Sequence, residues 1–148
     1  MFRGTSFHTM DNKGRIIIPS RFRDLIRAGG GDRVMVSSMD GCLVAYPLDA
    51  WRDLETGLLA RAEKSHYMRR FRRIFVGGAH ECACDKQERI LIPPMLREDA
   101  DITKEIVLVG VLDHFEIWSR GMWDSEKQAL NKDMQKEEVR NEIASLGL

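Results

Sequence analysis

Asp11-Asn12-Lys13-Gly14-Arg15-Ile16-Ile17-Ile18-Pro19 recurs, altered but in register, as Asp85-Lys86-Gln87-Glu88-Arg89-Ile90-Leu91-Ile92-Pro93. The two stretches lie 74 residues apart, and Arg23 meets Arg97 at the same offset. Beyond them, Val34-Met35-Val36 and Ile106-Val107-Leu108 are apolar runs followed by Asp40 and Asp113. Each copy then reaches an aromatic, Tyr46 or Trp118, and a tryptophan, Trp51 or Trp123. The offset contracts to 73 and then 72 along this path, so a couple of loop residues differ. One unit of about 45 residues, used twice, sets the architecture.

Within each unit the pattern reads as turn, strand, turn, short helix, loop, strand, turn, strand. Asp11 to Gly14 is turn chemistry, because a carboxylate can bond nearby backbone and glycine tolerates positive φ. Arg15-Ile16-Ile17-Ile18 is β-branched and strand-like, and Pro19, unable to donate to a ladder, ends it. Residues 20–28 predict a short helix with Ser20 as N-cap and Phe22, Leu25 and Ile26 on one face, stopped by Gly29-Gly30-Gly31. Asp40-Gly41 predicts a hairpin. Between the units, residues 48–75 read as helical: Trp51, Leu54, Leu58 and Leu59 keep helical spacing, and Tyr67, Phe71, Ile74 and Phe75 continue an apolar stripe. Residues 122–148 predict a charged helix with Trp123, Leu130 and Met134 as its sparse apolar face. Neither unit is long enough to bury its own sheet, so the two must pack together, within the chain or by exchange between chains.

The chain has 148 residues and a formal net charge of zero. That neutrality is a cancellation. Residues 1–80 carry 14 basic and 8 acidic side chains, a net +6, and residues 81–148 carry 9 basic and 15 acidic ones, a net −6. Such asymmetry signals a polyanion partner or a self-complementary assembly. Twelve of the 14 basic residues in the first half are arginine, whose planar fork suits phosphates and base edges. No apolar run approaches the ~20 residues of a membrane span. The opening Met1-Phe2-Arg3-Gly4-Thr5-Ser6 carries no apolar signal core, and three cysteines make no disulfide framework, which together predict a cytoplasmic protein.

The opening Met1-Phe2-Arg3-Gly4, the duplicated Asp-x-x-x-Arg followed by an apolar strand and proline, the arginine-rich linker Arg69-Arg70-Phe71-Arg72-Arg73, and Trp118 and Trp123 together resemble the MraZ family. That family is a two-repeat branch of the AbrB/SpoVT-type swapped-hairpin transcription factors, and the resemblance runs from Met1 to about Trp123. It implies a β-rich α+β fold: two AbrB/SpoVT-like repeats forming a double swapped-hairpin-type barrel, with a linker helix and a C-terminal helix. The expected division is residues 5–52 for the first repeat, 53–78 for a helical linker, 80–124 for the second repeat and 125–148 for a charged C-terminal helix or tail. The resemblance further implies a nucleoid-associated regulator that binds direct repeats in double-stranded promoter DNA upstream of a cell-division and cell-wall operon, its own gene included. It implies ring-shaped homo-oligomers that display the Asp-x-x-x-Arg loops together.

The motif residues carry over as Asp11 and Arg15 in the first copy and Asp85 and Arg89 in the second. DNA affinity comes mainly from neutralised phosphates, and specificity from base-edge contacts, of which arginine to guanine is the commonest. Arg3, Lys13, Arg15, Arg21 and Arg23, with Lys86 and Arg89, are the expected DNA contacts. Asp11, Gly14 and Asp85 are expected to shape and orient the loops. The plainer alternative is a local Asp11–Arg15 pair that only fixes a turn, which is compatible with DNA contact. Glu88 stands where the first copy has Gly14; a carboxylate there opposes phosphate, so the first copy is the expected DNA-facing site. Arg69, Arg70, Arg72 and Arg73 fit a solvated helix face, or pairing with an acidic neighbour, better than direct DNA contact.

His80, Cys82, Cys84 and Asp85 would share a neighbourhood if 80–84 form a strand, but the spacing does not match the usual zinc pattern and core packing of the cysteines is the simpler expectation. No metal and no cofactor are expected. His8, His66, His80 and His114 fall in unlike contexts, and no nucleophile motif or Walker loop accompanies them, so no enzymatic activity is expected. RNA recognition by stacking would need aromatics among the basic loop residues, where only Phe2 and Phe7 lie. The competing class is an oligomeric interaction or scaffold protein with incidental DNA binding.

Overall fold

The computed structural model describes residues 1–61 and 65–148. Eight strands and six helices are described: β1 Thr5–Thr9, β2 Arg15–Ile17, α1 Ser20–Ala28, β3 Arg33–Met39, β4 Cys42–Pro47, α2 Leu48–Ala60, α3 His66–Phe75, β5 His80–Ala83, β6 Arg89–Leu91, α4 Pro94–Asp99, β7 Glu105–Val111, β8 His114–Ser119, α5 Arg120–Asp133 and α6 Glu137–Ala144. The repeated unit is visible directly, since β1-β2-α1-β3-β4 and β5-β6-α4-β7-β8 run in the same order.

The repeats exchange strands. One six-stranded antiparallel sheet has the order β1-β7-β8-β4-β3-β5, and β2 pairs with β6 in a separate two-stranded ribbon. Thus β1 of the first repeat pairs with β7 of the second, and β5 of the second pairs with β3 of the first. The α+β, two-repeat class expected from the sequence is what is seen. The sequence left open whether the halves join within the chain or between chains; here they join within it.

Both hairpins turn on two residues. Met39 opposes Cys42 across Asp40-Gly41, and Val111 opposes His114 across Leu112-Asp113. Asp40, Gly41 and Leu112 have φ of 56°, 81° and 67°, the positive values that primed turns require. The turn equivalents are therefore Asp40 with Leu112 and Gly41 with Asp113. This corrects the matching of Asp40 with Asp113: the two lost residues both fall between α4 and β7, and the strands then stay in step because a one-residue slip would turn every side chain to the wrong face.

Two apolar layers sandwich the large sheet. On one side Ile16, Ile18, Phe22 and Ile26 meet Ile90, Ile92, Leu96 and Ile102, with Leu43, Ile106, Leu108 and Ile117 from the sheet itself. The rings of Phe2, Phe22 and Phe115 pack mutually at centroid distances of 5.1–5.5 Å. On the other side Trp51, Phe75 and Trp118 are buried, joined by Tyr46, Phe71 and Trp123. Each large apolar side chain buried this way contributes about 1.5–3 kcal/mol. Gly110 marks a close approach: a Cβ there would stand 2.3 Å from Arg3 N. The chain before β1 passes at that point, with Gly110 N–H donating to the Gly4 carbonyl at 2.8 Å.

The helices depart from expectation in four places. Ser20 is the first residue of α1, and the N-cap is Pro19, whose carbonyl accepts from Phe22 N–H and Arg23 N–H; proline's fixed φ already suits a helix start. The stretch 48–75 is interrupted: Arg61 is extended, Ser65 caps a new helix with Oγ accepting from Met68 N–H, and residues 62–64 lie outside the described residues. Tyr67 and Ile74 of the expected stripe are exposed, whereas Phe71 and Phe75 stack at 5.0 Å. The C-terminal stretch is two helices, α5 and α6, with Lys136 extended between them and no buried residue in either. Trp123 packs on Trp118 at 5.8 Å, while Leu130 is exposed.

Candidate nucleic-acid interface

Each Asp-x-x-x-Arg segment folds into the same closed turn. Asp11 Oδ1 accepts from the N–H groups of Lys13 and Arg15 at 3.0 and 2.8 Å, and its Oδ2 accepts from Arg15 Nε at 2.6 Å. Asp85 Oδ1 accepts from Gln87 and Arg89 N–H at 2.8 and 3.0 Å, and its Oδ2 from Arg89 Nε at 3.0 Å. One carboxylate thereby shapes the backbone and aims the arginine. The fourth position takes up a left-handed conformation, with φ of 88° at Gly14 and 68° at Glu88. The Arg15 N–H and guanidinium hold the Asp11 carboxyl down at about 2, and the Arg89 N–H chiefly lowers Asp85 in the same way. Exposed ion pairs contribute only about 0–1 kcal/mol each to stability, so what these aspartates supply is orientation.

The ribbon brings the two turns together. Arg15 opposes Leu91, Ile16 opposes Ile90, and Ile17 opposes Arg89. Strand alternation sends Ile16 and Ile90 into the core, fully buried, and leaves Arg15, Ile17, Arg89 and Leu91 on one outward face. Ile17 and Leu91 are each 54% exposed. Two further bonds lock the ribbon: Ile18 N–H donates to the Glu88 carbonyl at 3.0 Å, and Ile92 N–H to the Gly14 carbonyl at 2.9 Å. Arg89 Nη1 also reaches Asp11 Oδ2 at 3.9 Å, so the first aspartate attends to both arginines.

Lys13 and Lys86 are exposed at the tips of the two turns. Arg3 and Arg21 form a separate exposed basic pair, in which Arg21 Nε donates to the Arg3 carbonyl at 3.4 Å and the Arg21 guanidinium lies over Phe22. Arg23 is set apart from these exposed residues. Its side chain is only 13% exposed; Nη2 pairs with Glu88 at 3.0 Å and Nη1 donates to the Ile18 carbonyl. The Pro19 turn folds α1 back beneath β2, which carries Arg23 under the ribbon rather than onto its face.

Arg97, the repeat partner of Arg23, lies beside Gly14, where a Cβ would stand 2.7 Å from its Cζ. The shared offset of 74 was the signal for this pair. The outward exposure of Ile17 and Leu91 had no comparable signal, because Ile16-Ile17-Ile18 reads simply as an apolar run. Arg70 Nη2 meets His66 Nε2 at 2.8 Å, and Arg72 and Arg73 line a cleft of about 480 Å³ with Glu55, Leu58 and Leu59.

Cys82 is buried in the core and Cys84 is packed against it, whereas His80 is exposed and bonds its ring Nδ1 to the Gly78 carbonyl. Burial raises the Cys82 thiol to about 11 and also pushes up Cys42 and Cys84, which disfavours the thiolate a metal would need. Among the described residues no three such ligands converge on a metal position, and no helix is long and apolar enough to cross a membrane.

A strand-exchanged pair of homologous repeats, with both motif turns clasped into one ribbon, defines a two-repeat swapped-hairpin protein. The family profile described as "MraZ protein, putative antitoxin-like" matches residues 1–74 and again residues 75–143. A protein named transcriptional regulator MraZ from Desulforapulum autotrophicum is 60% identical over 148 residues, covering all of both chains. Proteins of the same name from Desulfosudis oleivorans and Thermoanaerobacter pseudethanolicus are 53% and 40% identical, again over the full length of each. The chain belongs to the MraZ family of transcriptional regulators.

Proposed function

We propose that this protein regulates transcription by sequence-specific binding of double-stranded DNA through the outward face of the β2–β6 ribbon. The observation that carries this reading is the convergence of Arg15 and Arg89, each held by its own aspartate, on one face built from both repeats. A major groove about 12 Å wide admits a two-stranded ribbon, and arginine pairs bidentately with guanine O6 and N7. Arginines already held in place lose less freedom on binding. Lys13, Lys86, Arg3 and Arg21 supply phosphate contacts at the periphery, which position the ribbon without reading sequence. Arg23 acts as a positioning residue under the ribbon, and Asp11, Gly14 and Asp85 set the turns. This is a binding function and not catalysis.

The targets are direct repeats upstream of a cell-division and cell-wall operon that includes the protein's own gene, and the working form is a ring-shaped homo-oligomer in the cytoplasm at the nucleoid. Exposed Leu59, Tyr67 and Ile74 on α2 and α3 support self-assembly, since they offer apolar surface to a neighbour. A ring lets several weak ribbons engage repeated sites at once, raising avidity by about 10²–10⁴.

The test is binding to a duplex from immediately upstream of its own coding sequence against a shuffled duplex, over a salt series, with wild type and Arg15→Ala. Preference for the natural duplex, a steep salt slope and a large loss in the variant are expected. Equal binding to both duplexes, or an unaffected variant, overturns the reading.

A further inference from the structure

Arg23 and Arg97 are the same residue of the two repeats, and each sits behind the turn of the other repeat or against it. Arg23, from the first repeat, is held by Glu88 of the second turn at 3.0 Å and by the Ile18 carbonyl. Arg97, from the second repeat, lies on Gly14 of the first turn. Both Nε atoms are buried without a hydrogen-bond partner. The difference lies in what meets the rest of the guanidinium. Glu88 supplies a carboxylate to Arg23, whereas Gly14 supplies none, and among the described residues no carboxylate pairs with Arg97. The first turn thus has a partly buried cation that no described carboxylate neutralises, and the second has a neutralised one.

We propose that Arg97 is the phosphate-binding cation of the first turn, and that Glu88 occupies the matching cation Arg23 at the second, so the two turns hold DNA unequally. The Nε of both arginines is closed off alike, so the difference rests on the Nη groups, which meet Glu88 and the Ile18 carbonyl in Arg23 and, among the described residues, no carboxylate in Arg97. An incoming phosphate is the planar fork's natural acceptor. Gly14 serves this arrangement twice: it allows the positive φ, and its missing side chain lets Arg97 lie against the turn backbone. A side chain at the second turn instead brings its own anion. The inequality belongs to the ribbon, so a face with near two-fold pairing engages DNA more strongly through its first-repeat end.

This proposal rests on the DNA-binding reading above, and Arg15→Ala separates the two. Full-length wild type, Arg15→Ala, Arg97→Gln and Glu88→Gly are titrated into the upstream duplex and its shuffled counterpart over a salt series, with thermal unfolding of each. Arg97→Gln is expected to weaken binding to both duplexes alike, by roughly tenfold, and to lower the salt slope by about one, as loss of one phosphate contact does. Glu88→Gly is expected to tighten binding severalfold and steepen the slope by about one. If Arg97→Gln unfolds early, Glu88→Gly decides: unchanged affinity and slope overturn the proposal. Unchanged affinity and slope in a well-folded Arg97→Gln, with Arg15→Ala still crippled, overturn it too and leave the DNA-binding reading standing. Failure of Arg15→Ala to matter overturns both.

Discussion

Asp11 of the first repeat stands 3.9 Å from Arg89 Nη1 of the second while accepting a 2.6 Å bond from its own Arg15. One carboxylate therefore touches both arginines of the ribbon, and the two repeats present a single face rather than two separate loops.

The ionisation of Asp11 gives a pH signature. Its folded value is depressed to about 2 from an ordinary 3.8, chiefly by the Arg15 N–H. A depressed carboxylate contributes stability that is present above the ordinary value and is lost as pH falls through the folded one. Asp11→Asn should thus melt below wild type near about pH 6, with the gap closing by about pH 2. Melting curves from acid to neutral pH measure this. A gap that stays constant down to the acid end contradicts it.

Gly14→Ala meets two obstacles, a φ of 88° and Arg97 at 2.7 Å from the new Cβ. The left-handed conformation alone costs about 1–2 kcal/mol for a non-glycine residue. Chemical denaturation should show at least that loss, with weaker DNA binding because the turn shifts. Alanine tolerated at no cost in either measurement would mean that the turn readily changes shape.

Gly110→Ala places a Cβ 2.3 Å from Arg3 N and 2.6 Å from Phe2 C. The segment before β1 must then move, breaking the Gly110-to-Gly4 bond and straining the paired Phe2 and Leu112 backbone bonds. Overpacking of this kind costs about 1–3 kcal/mol. Hydrogen exchange should accelerate at Phe2 and Leu112 ahead of the sheet centre, and unchanged protection there contradicts the prediction.

His114 lies between Glu116, 3.9 Å from Nε2, and Asp113, 2.7 Å from Nδ1, and its ring stacks on Tyr46 at 4.6 Å. The two carboxylates, Glu116 first, raise it above the ordinary 6.5 against the opposing effect of burial. A raised histidine contributes stability that is complete below the unfolded value and lost as pH rises through the folded one. His114→Gln should therefore lower the melting temperature most below about pH 6 and least in alkaline solution. Ring-proton NMR of His114 tracks the same titration, and a midpoint at or below the ordinary value contradicts it.

Much of this molecule is readable along the chain. The repeat stands in the residues because each copy needs the same carboxylate, the same arginine and the same apolar strand to close one turn. The helix-and-hairpin order follows from Pro19, Pro93 and the turn chemistry at Asp40-Gly41. The bonds of Asp11 and Asp85 within their own turns are legible for the same local reason: their partners lie two and four residues away. The pairing of Arg23 with Glu88 is not legible in the same way, because Glu88 lies in the other repeat and no local pattern reports that distance. The helix after Trp51 breaks near Arg61, although the apolar spacing continues past it.

The chain read alone carries the duplicated unit, the α+β character and the paired aspartate–arginine turns. These depend on interactions a few residues long, which composition and spacing encode directly. The folding of distant segments onto one another makes the repeats trade strands within one chain, turns Ile17 and Leu91 outward beside the arginines, and neutralises Arg23 while leaving Arg97 without a carboxylate among the described residues. Those outcomes depend on register between segments about seventy residues apart, where the pleat's two-residue period and the direction of burial choose which side of each strand is surface.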